Sequence, residues 1–280
     1  MSDRRLTPAN GRVAAEHLEG EVKAERYVAP DPAQINTFIV ELLACPDGPR
    51  DRELLFGDLV NVFERREGWA FVQAQKDGYC GYVRETTLAV PLQSTHAVKV
   101  RQTHIYPTEG LKARPLARLP FSGRITVTGM LDGWLQVAWP AGTGLVHANH
   151  LRPLDTLLPD PVETAALFLG TPYLWAGNTG DGIDCSGLVQ AACLAANIPC
   201  PGDSDQQAQT LGAPQDDAQP FQRNDVIFWK GHVALAEDAH TMIHATAHGM
   251  TTRREPIKQA IARIECQGEG PVTARRCLFV

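Results

Sequence analysis

The sequence predicts a multi-domain chain in which two small all-β barrels precede an α+β domain. Three observations predict it. Short β-rich runs broken by glycine-containing turns fill residues 35 to 155. A "GW" turn with similar flanks occurs twice within that region. From Leu157 onward, apolar residues recur at helical spacing and then give way to a block of β-rich runs. At 280 residues the chain is also longer than one average core requires.

Residues 1–34 are polar with only weak helical periodicity and end in "APDPAQ", which reads as an N-terminal arm laid over the surface. Residues 35–92 form the first β unit, with "INTFIVELLA", "LVNVFER", "WAFVQAQ" and "GYCGYVR" as strands between "PDGP", "REGW" and "KDGY" turns. Residues 93–155 form the second, with "AVKVRQTHIYP", "GRITVTGMLDGWLQVAWP" and "GTGLVHANHLRP". The stretches "LVNVFERREGWAFVQ…GYVRETTL" and "RITVTGMLDGWLQVA…GLVHANHL" align as an internal repeat, and short strands at this spacing make small barrels. Trp69 and Trp134, which follow the two turns, are read as barrel core.

Residues 156–280 make the third domain. "DPVETAALFLG" carries Val162, Ala165, Ala166 and Leu169 at helical spacing and ends in glycine. "CSGLVQAACLAANIP" is a stronger helix, stopped by Pro199 and Pro201. "SDQQAQTLG" is a short third helix with Ser204 placed as its N-cap. "NDVIFWKGHVALAEDAHTMIHATA" is β-rich, and "ARRCLFV" closes the chain as a strand.

Composition excludes several function classes. The chain is 44% apolar and 21% charged with a net charge of −6, so no basic field draws it to nucleic acid or anionic lipid. No apolar run approaches the length of a membrane span, and the N-terminus has no apolar signal region. Seven cysteines, odd in number and scattered, read as reduced thiols and make the cytoplasm the expected compartment.

Cys185 opens the strong helix behind a glycine loop (Gly177, Gly180, Gly182), where a helix N-terminus favours the thiolate. Asp184 is placed to cap that helix. A buried structural cysteine and a nucleophile both fit this position, since free cysteine is among the most buried residue types. His232 begins a strand after a glycine, and His244 lies in a second β-rich run. Adjacent antiparallel strands would bring the two imidazoles to one face, His232 as base and His244 as its orienter. His240, His244 and His248 share the spacing of a helical metal site, but on a strand residues four apart stand roughly 13 Å apart and cannot share an ion. No metal or organic cofactor is implied.

The ordered set "TPYLWAGNTGDGIDCSGLVQ", "NDVIFWKGHVAL" and "MIHA" resembles the NlpC family of cell-wall cysteine peptidases, over about residues 160–280. The two upstream units resemble the bacterial SH3-like domains that precede the catalytic domain in γ-D-glutamyl-L-diamino acid endopeptidases. The resemblance implies two SH3-like barrels followed by a papain-like α+β domain with a Cys185, His232, His244 triad. It implies Tyr173 at the oxyanion beside the Cys185 N–H. Asp184, Ser186 and Ser204 would hold the free amine of an N-terminal L-Ala. Tyr79, with Tyr82 as fallback, is expected to close the amine end from the first SH3-like domain, with Asp58 or Glu41 as its carboxylate. Ala176 and Asn178 stand where many relatives carry Gly and Arg or Lys. The implied activity is hydrolysis of the bond between γ-D-Glu and diaminopimelate or lysine in free peptidoglycan stem peptides, during cell-wall recycling. Hydrolysis of intact wall, an amidase or acyltransferase acting on another acyl group, and a wall-binding module are the rival readings; intact Cys185, His232 and His244 argue against the last.

Overall fold

A computed structural model describes residues 3–110, 112–216 and 218–279. The chain divides into two compact units, residues 1–156 and 157–280.

The first unit is built from two antiparallel sheets. One has seven strands, in the order Arg50–Leu55, Ile39–Leu43, Cys80–Arg84, Trp69–Ala74, Leu59–Arg66, Asp31–Ile35 and Leu88–Ala89. It closes on Ile35, Leu42, Leu54, Val60, Val72 and Val83, all essentially inaccessible to solvent. The other has five strands, with Arg124–Leu131 and Trp134–Trp139 at its centre, around Val98, Ile125, Val137 and Val146. The predicted arm is ordered. Val13–Ala15 pairs in parallel with Arg26–Val28, and Val13 and Ala15 bury against Phe63, Trp69 and Phe71. The first sheet begins at Asp31, inside the stretch read as arm.

The internal repeat is visible in the backbone. Each central hairpin turns on two residues in the left-handed region, Glu67–Gly68 (φ 54° and 79°) and Asp132–Gly133 (φ 44° and 82°). This is the turn whose twist matches that of the flanking strands. Each hairpin then slips register at the same rung, between Val62 and Glu64 and between Val127 and Gly129. The two tryptophans differ. Trp69 is buried with the Arg84 guanidinium 3.8 Å from its ring centre. Trp134, read from sequence as core, is half-exposed and meets Tyr106 and His147 edge to face, because Trp139 takes the buried position on its strand.

The second unit contains α1 (Pro161–Ala166), α2 (Cys185–Ala195), α3 (Ser204–Thr210) and α4 (Ile257–Cys266) around a six-stranded antiparallel sheet. The sheet order is Ala213–Pro214, Ala274–Cys277, Asp225–Trp229, His232–Ala236, Thr241–Thr246 and Thr251–Pro256. Both faces are covered, so the runs read as nearly continuous apolar segments: Val226, Phe228, Val233 and Leu235 are as buried as Ile227, Ala234 and Ala236. α2 lies against the His232 and Thr241 strands. α4 covers Ile227, Ala234, Ala236 and Met242 with Ile257, Ala260 and Ile264. Sequence reading missed α4, although these three residues and Ile261 follow a helical period. Ser204 is the first residue of α3 and not its cap. Asp203 takes the extended cap conformation (φ −103°, ψ 147°), and its carbonyl accepts the Gln207 N–H.

Gly57 couples the two sheets of the first unit. It has φ +83°, and a Cβ there would stand 2.2 Å from the Arg124 carbonyl oxygen. Phe56, its neighbour, buries in the second sheet's core and accepts the Arg124 N–H at 3.0 Å. Gly57→Ala is expected to destabilise the first unit by about 1–3 kcal/mol, from the left-handed backbone and the contact together. A thermal unfolding midpoint unchanged from wild type would contradict this.

Candidate active site

The site is built from the start of α2. Asp184 is the N-cap: its Oδ1 accepts the Gly187 N–H at 2.6 Å and the Ser186 hydroxyl at 3.0 Å. Its Oδ2 accepts the Ala176 N–H at 2.9 Å. One carboxylate therefore fixes both the helix start and the preceding loop. Ala176 holds φ +60°, a left-handed conformation suited to glycine. Gly187 is required by packing, since a Cβ there would stand 2.5 Å from the Gly177 carbonyl oxygen.

Cys185, 6% exposed, is held between these contacts with its Sγ 4.0 Å from the Gly231 carbonyl. Burial pushes its thiol up to about 12, and the charge of Asp184 adds to this. The N–H groups of Val233, Ser186 and Cys185 itself pull the other way. Gly231 and Val233 flank His232, so the thiol lies against the start of the histidine strand. Tyr173 is half-buried, with its N–H on the Met250 carbonyl at 3.0 Å, and pairs beside Ile183, two residues before the cysteine. Burial raises its phenol above the ordinary value, with further contributions from Cys185, Asp184 and Glu269.

The histidines come together as their strands require. Leu235 pairs with Ile243 and Ala236 with Met242. Side-chain alternation then places His232 and His244 on the face that bears α4. His232 Nε2 and His244 Nδ1 are 2.9 Å apart. His244 is fully buried, and burial pushes it down to about 4 and His232 to about 3. Both rings are therefore neutral near pH 7.

Two residues that sequence reading did not single out lie behind His244. A Glu255 carboxylate oxygen is 3.1 Å from His244 Nε2. This contact is close in distance but not aligned as a hydrogen bond, so we treat it as electrostatic. Arg263 on α4 grips Glu255 with two N–H donors at 3.0 and 2.7 Å. The signal for them was the helical period of α4, which places Arg263 over the end of the preceding strand.

The other predicted residues fall as follows. Ser186 is buried on the Asp184 carboxylate, and Ser204 is partly exposed on α3. Gln207, one turn further along α3, donates to the Ser186 carbonyl at 3.0 Å. In the first unit Tyr79 is 2% exposed among core residues, and Tyr82 is buried against Phe71. Asp58 pairs with Lys76 at 2.6 Å, and Glu41 is exposed beside Arg50. All seven cysteines are free.

Residues 42–88 match the bacterial dipeptidyl-peptidase SH3 domain, and residues 170–263, which contain this constellation, match the NlpC/P60 family. The domain at residues 170–263 is therefore of the NlpC/P60 cysteine peptidase family. The chain as a whole is 28% identical over 264 residues to the γ-D-glutamyl-L-lysine dipeptidyl-peptidase of Bacillus subtilis (strain 168), a match covering 86% of each chain. To the Bacillus cereus protein of the same name it is 26% identical over 228 residues, which cover 70% of this chain and 67% of that one. The crystal structure of an NlpC/P60 family protein from Bacillus cereus shares its fold, with a TM-score of 0.75 at 20% identity over 89% of this chain and 100% of that one. An N-terminal SH3 domain followed by an NlpC/P60 domain is thus its organisation.

The buried imidazoles set a pH dependence. Unfolded, both histidines titrate near 6.5; folded, they do so near 3 and 4. Between those values the unfolded chain binds more protons, so the stability of the second unit is complete above about pH 6.5 and falls as pH drops toward 4. Glu255, held below the ordinary carboxylate value by Arg263 against the opposing effect of burial, acts in the same direction at the acid end. Thermal unfolding from pH 8 to 4 should show this fall, with a shallower slope in His232→Gln. A midpoint that rises on acidification would exclude it.

Proposed function

We propose that this peptidase hydrolyses the γ-D-glutamyl–diamino-acid bond (lysine or diaminopimelate) of free stem peptides bearing an unblocked N-terminal L-Ala. The supporting observation is the Asp184-capped Cys185, its Sγ at the carbonyl of Gly231 directly before His232, together with the His232–His244 contact. Relatives matched over most of the chain are named γ-D-glutamyl-L-lysine dipeptidyl-peptidases.

Cys185 is the nucleophile. Its thiol proton passes to His232 Nδ1 as the Sγ–C bond forms at the γ-carbonyl carbon. The resulting oxyanion is held by the Cys185 N–H and the Tyr173 hydroxyl. Collapse breaks the C–N bond, and His232 gives its proton to the leaving α-amine. A water deprotonated by His232 then attacks the thioester, releasing L-Ala-D-Glu and restoring the thiol. His244, on the far nitrogen of His232, orients the ring through both halves.

The ammonium of L-Ala is held at Asp184, Ser186 and Ser204. An ammonium beside the Asp184 carboxylate makes a charge-assisted hydrogen bond. A blocked amine loses that bond and leaves the charge uncompensated. A site that requires the free amine acts on released peptides, which is the basis for placing it in cytoplasmic recycling.

Purified protein is expected to cleave L-Ala-γ-D-Glu-lysine or its diaminopimelate counterpart, with the N-acetylated twin slower by a factor of about 100 or more. Cys185→Ala should abolish cleavage. Equal rates on free and acetylated peptide would overturn the recycling assignment and favour intact wall as substrate.

A further inference from the structure

We infer that Glu255, held by Arg263, is a positioning residue that sets the tautomers of both histidines so that His232 presents a basic nitrogen to Cys185. The inference rests on the nucleophile and base assignments above and adds to them two residues that touch neither substrate nor thiol.

A neutral imidazole carries one proton, on one of its two nitrogens. Across the 2.9 Å contact, one of His232 Nε2 and His244 Nδ1 must donate and the other accept. The contact alone is compatible with either direction, and the two directions have opposite consequences. If His244 donates, His232 Nε2 accepts and the proton of His232 sits on Nδ1, the nitrogen assigned above to take the cysteine proton. His232 then has no lone pair for the cysteine proton. If His232 donates, its Nδ1 is free to act as the base.

Glu255 decides between them. Its carboxylate oxygen is 3.1 Å from His244 Nε2, in a setting where His244 is fully buried and Glu255 only 5% exposed. A ring lone pair at that distance would face a buried negative charge; a ring N–H faces it favourably. The proton of His244 therefore sits on Nε2, its Nδ1 accepts, and His232 donates from Nε2. Arg263 keeps Glu255 ionised through its two N–H bonds and tempers its charge, so the pair holds the proton on His244 without withdrawing it. The remaining charged group facing His244 is Arg253, its cross-strand neighbour, which disfavours a cationic His244 and so favours the neutral, orienting form.

The arrangement depends on three elements meeting. Glu255 is registered against Met242, two rungs along from His244 and so on the same face, on the strand Thr251–Pro256. α4 starts immediately after that strand and returns Arg263 over its end.

Two measurements test this. In wild-type protein at pH 7.5, long-range 1H–15N correlation of the imidazoles should show both His232 and His244 protonated at Nε2. Protonation of His244 at Nδ1 would overturn the inference, and this reading needs no variant to fold. In Glu255→Gln, whose amide can donate to His244 Nε2 and impose the opposite tautomer, kcat should fall about 10- to 1,000-fold with KM changed less than about threefold. Alkylation of Cys185 by iodoacetamide at pH 7, followed by mass spectrometry of the Cys185 peptide, should slow in parallel, with partial recovery in Glu255→Asp. A Glu255→Gln protein that is less stable but alkylates and turns over as wild type would show Glu255 to be structural only. Because alkylation and tautomer need no substrate, failure to cleave stem peptides would count against the proposed substrate and leave this inference standing.

Discussion

The Asp184 carboxylate is the interaction on which the rest of the site depends. Its two oxygens accept from Gly187, Ser186 and Ala176, so one buried anion ties the first turn of α2 to the loop before it. Each position of the segment "GIDCSG" then has a physical reason. Asp184 caps the helix, Cys185 occupies its positive end, Ser186 completes the cap with its hydroxyl, and Gly187 lets the loop carbonyl of Gly177 approach within reach. Remove the cap and the first turn of α2 loses its tie to the loop, and with it the fixed direction of the thiol.

The sheet supplies the complementary half. Its strands fix a pair of imidazoles by pleat and register. The base is held by backbone geometry on one side, through the Lys230–Gly231 turn that joins Trp229 to His232, and by a buried polar chain on the other. A base that is buried, neutral and bonded on its far nitrogen has little orientational freedom to lose when substrate arrives. The cost falls on stability at low pH, where both rings would need to charge inside an apolar sheet.

Much of this was legible in the sequence because the signals were local. Gly68 and Gly133 mark turns that need left-handed backbone, Pro199 closes the helix of Cys185, and the apolar runs around His232 and His244 read as strands. What sequence reading missed was less local. α4 has a helical period, but it is short, rich in charged residues and directly follows a strand, and the segment was left without an assignment between the β-rich run and the closing strand. Losing α4 also lost Arg263, and with it any reason to single out Glu255, whose partners are a strand away and a helix turn beyond. The cap of α3 was misplaced by one residue because Asp203 and Ser204 both suit the position, and only backbone angles separate them. Ala176 is the opposite case: its place in the glycine-rich loop was visible, and its left-handed angle is one that suits glycine.

The matched register slips of the two hairpins have a mechanical consequence. A bulge bends its strand and increases the local twist, so one at the equivalent rung of both hairpins, above the same kind of turn, curves the two in the same way. Their outer faces differ. In one, the tryptophan after the turn is sealed beneath an arginine; in the other it is half-open among Tyr106 and His147. One backbone plan thus carries two unlike surfaces.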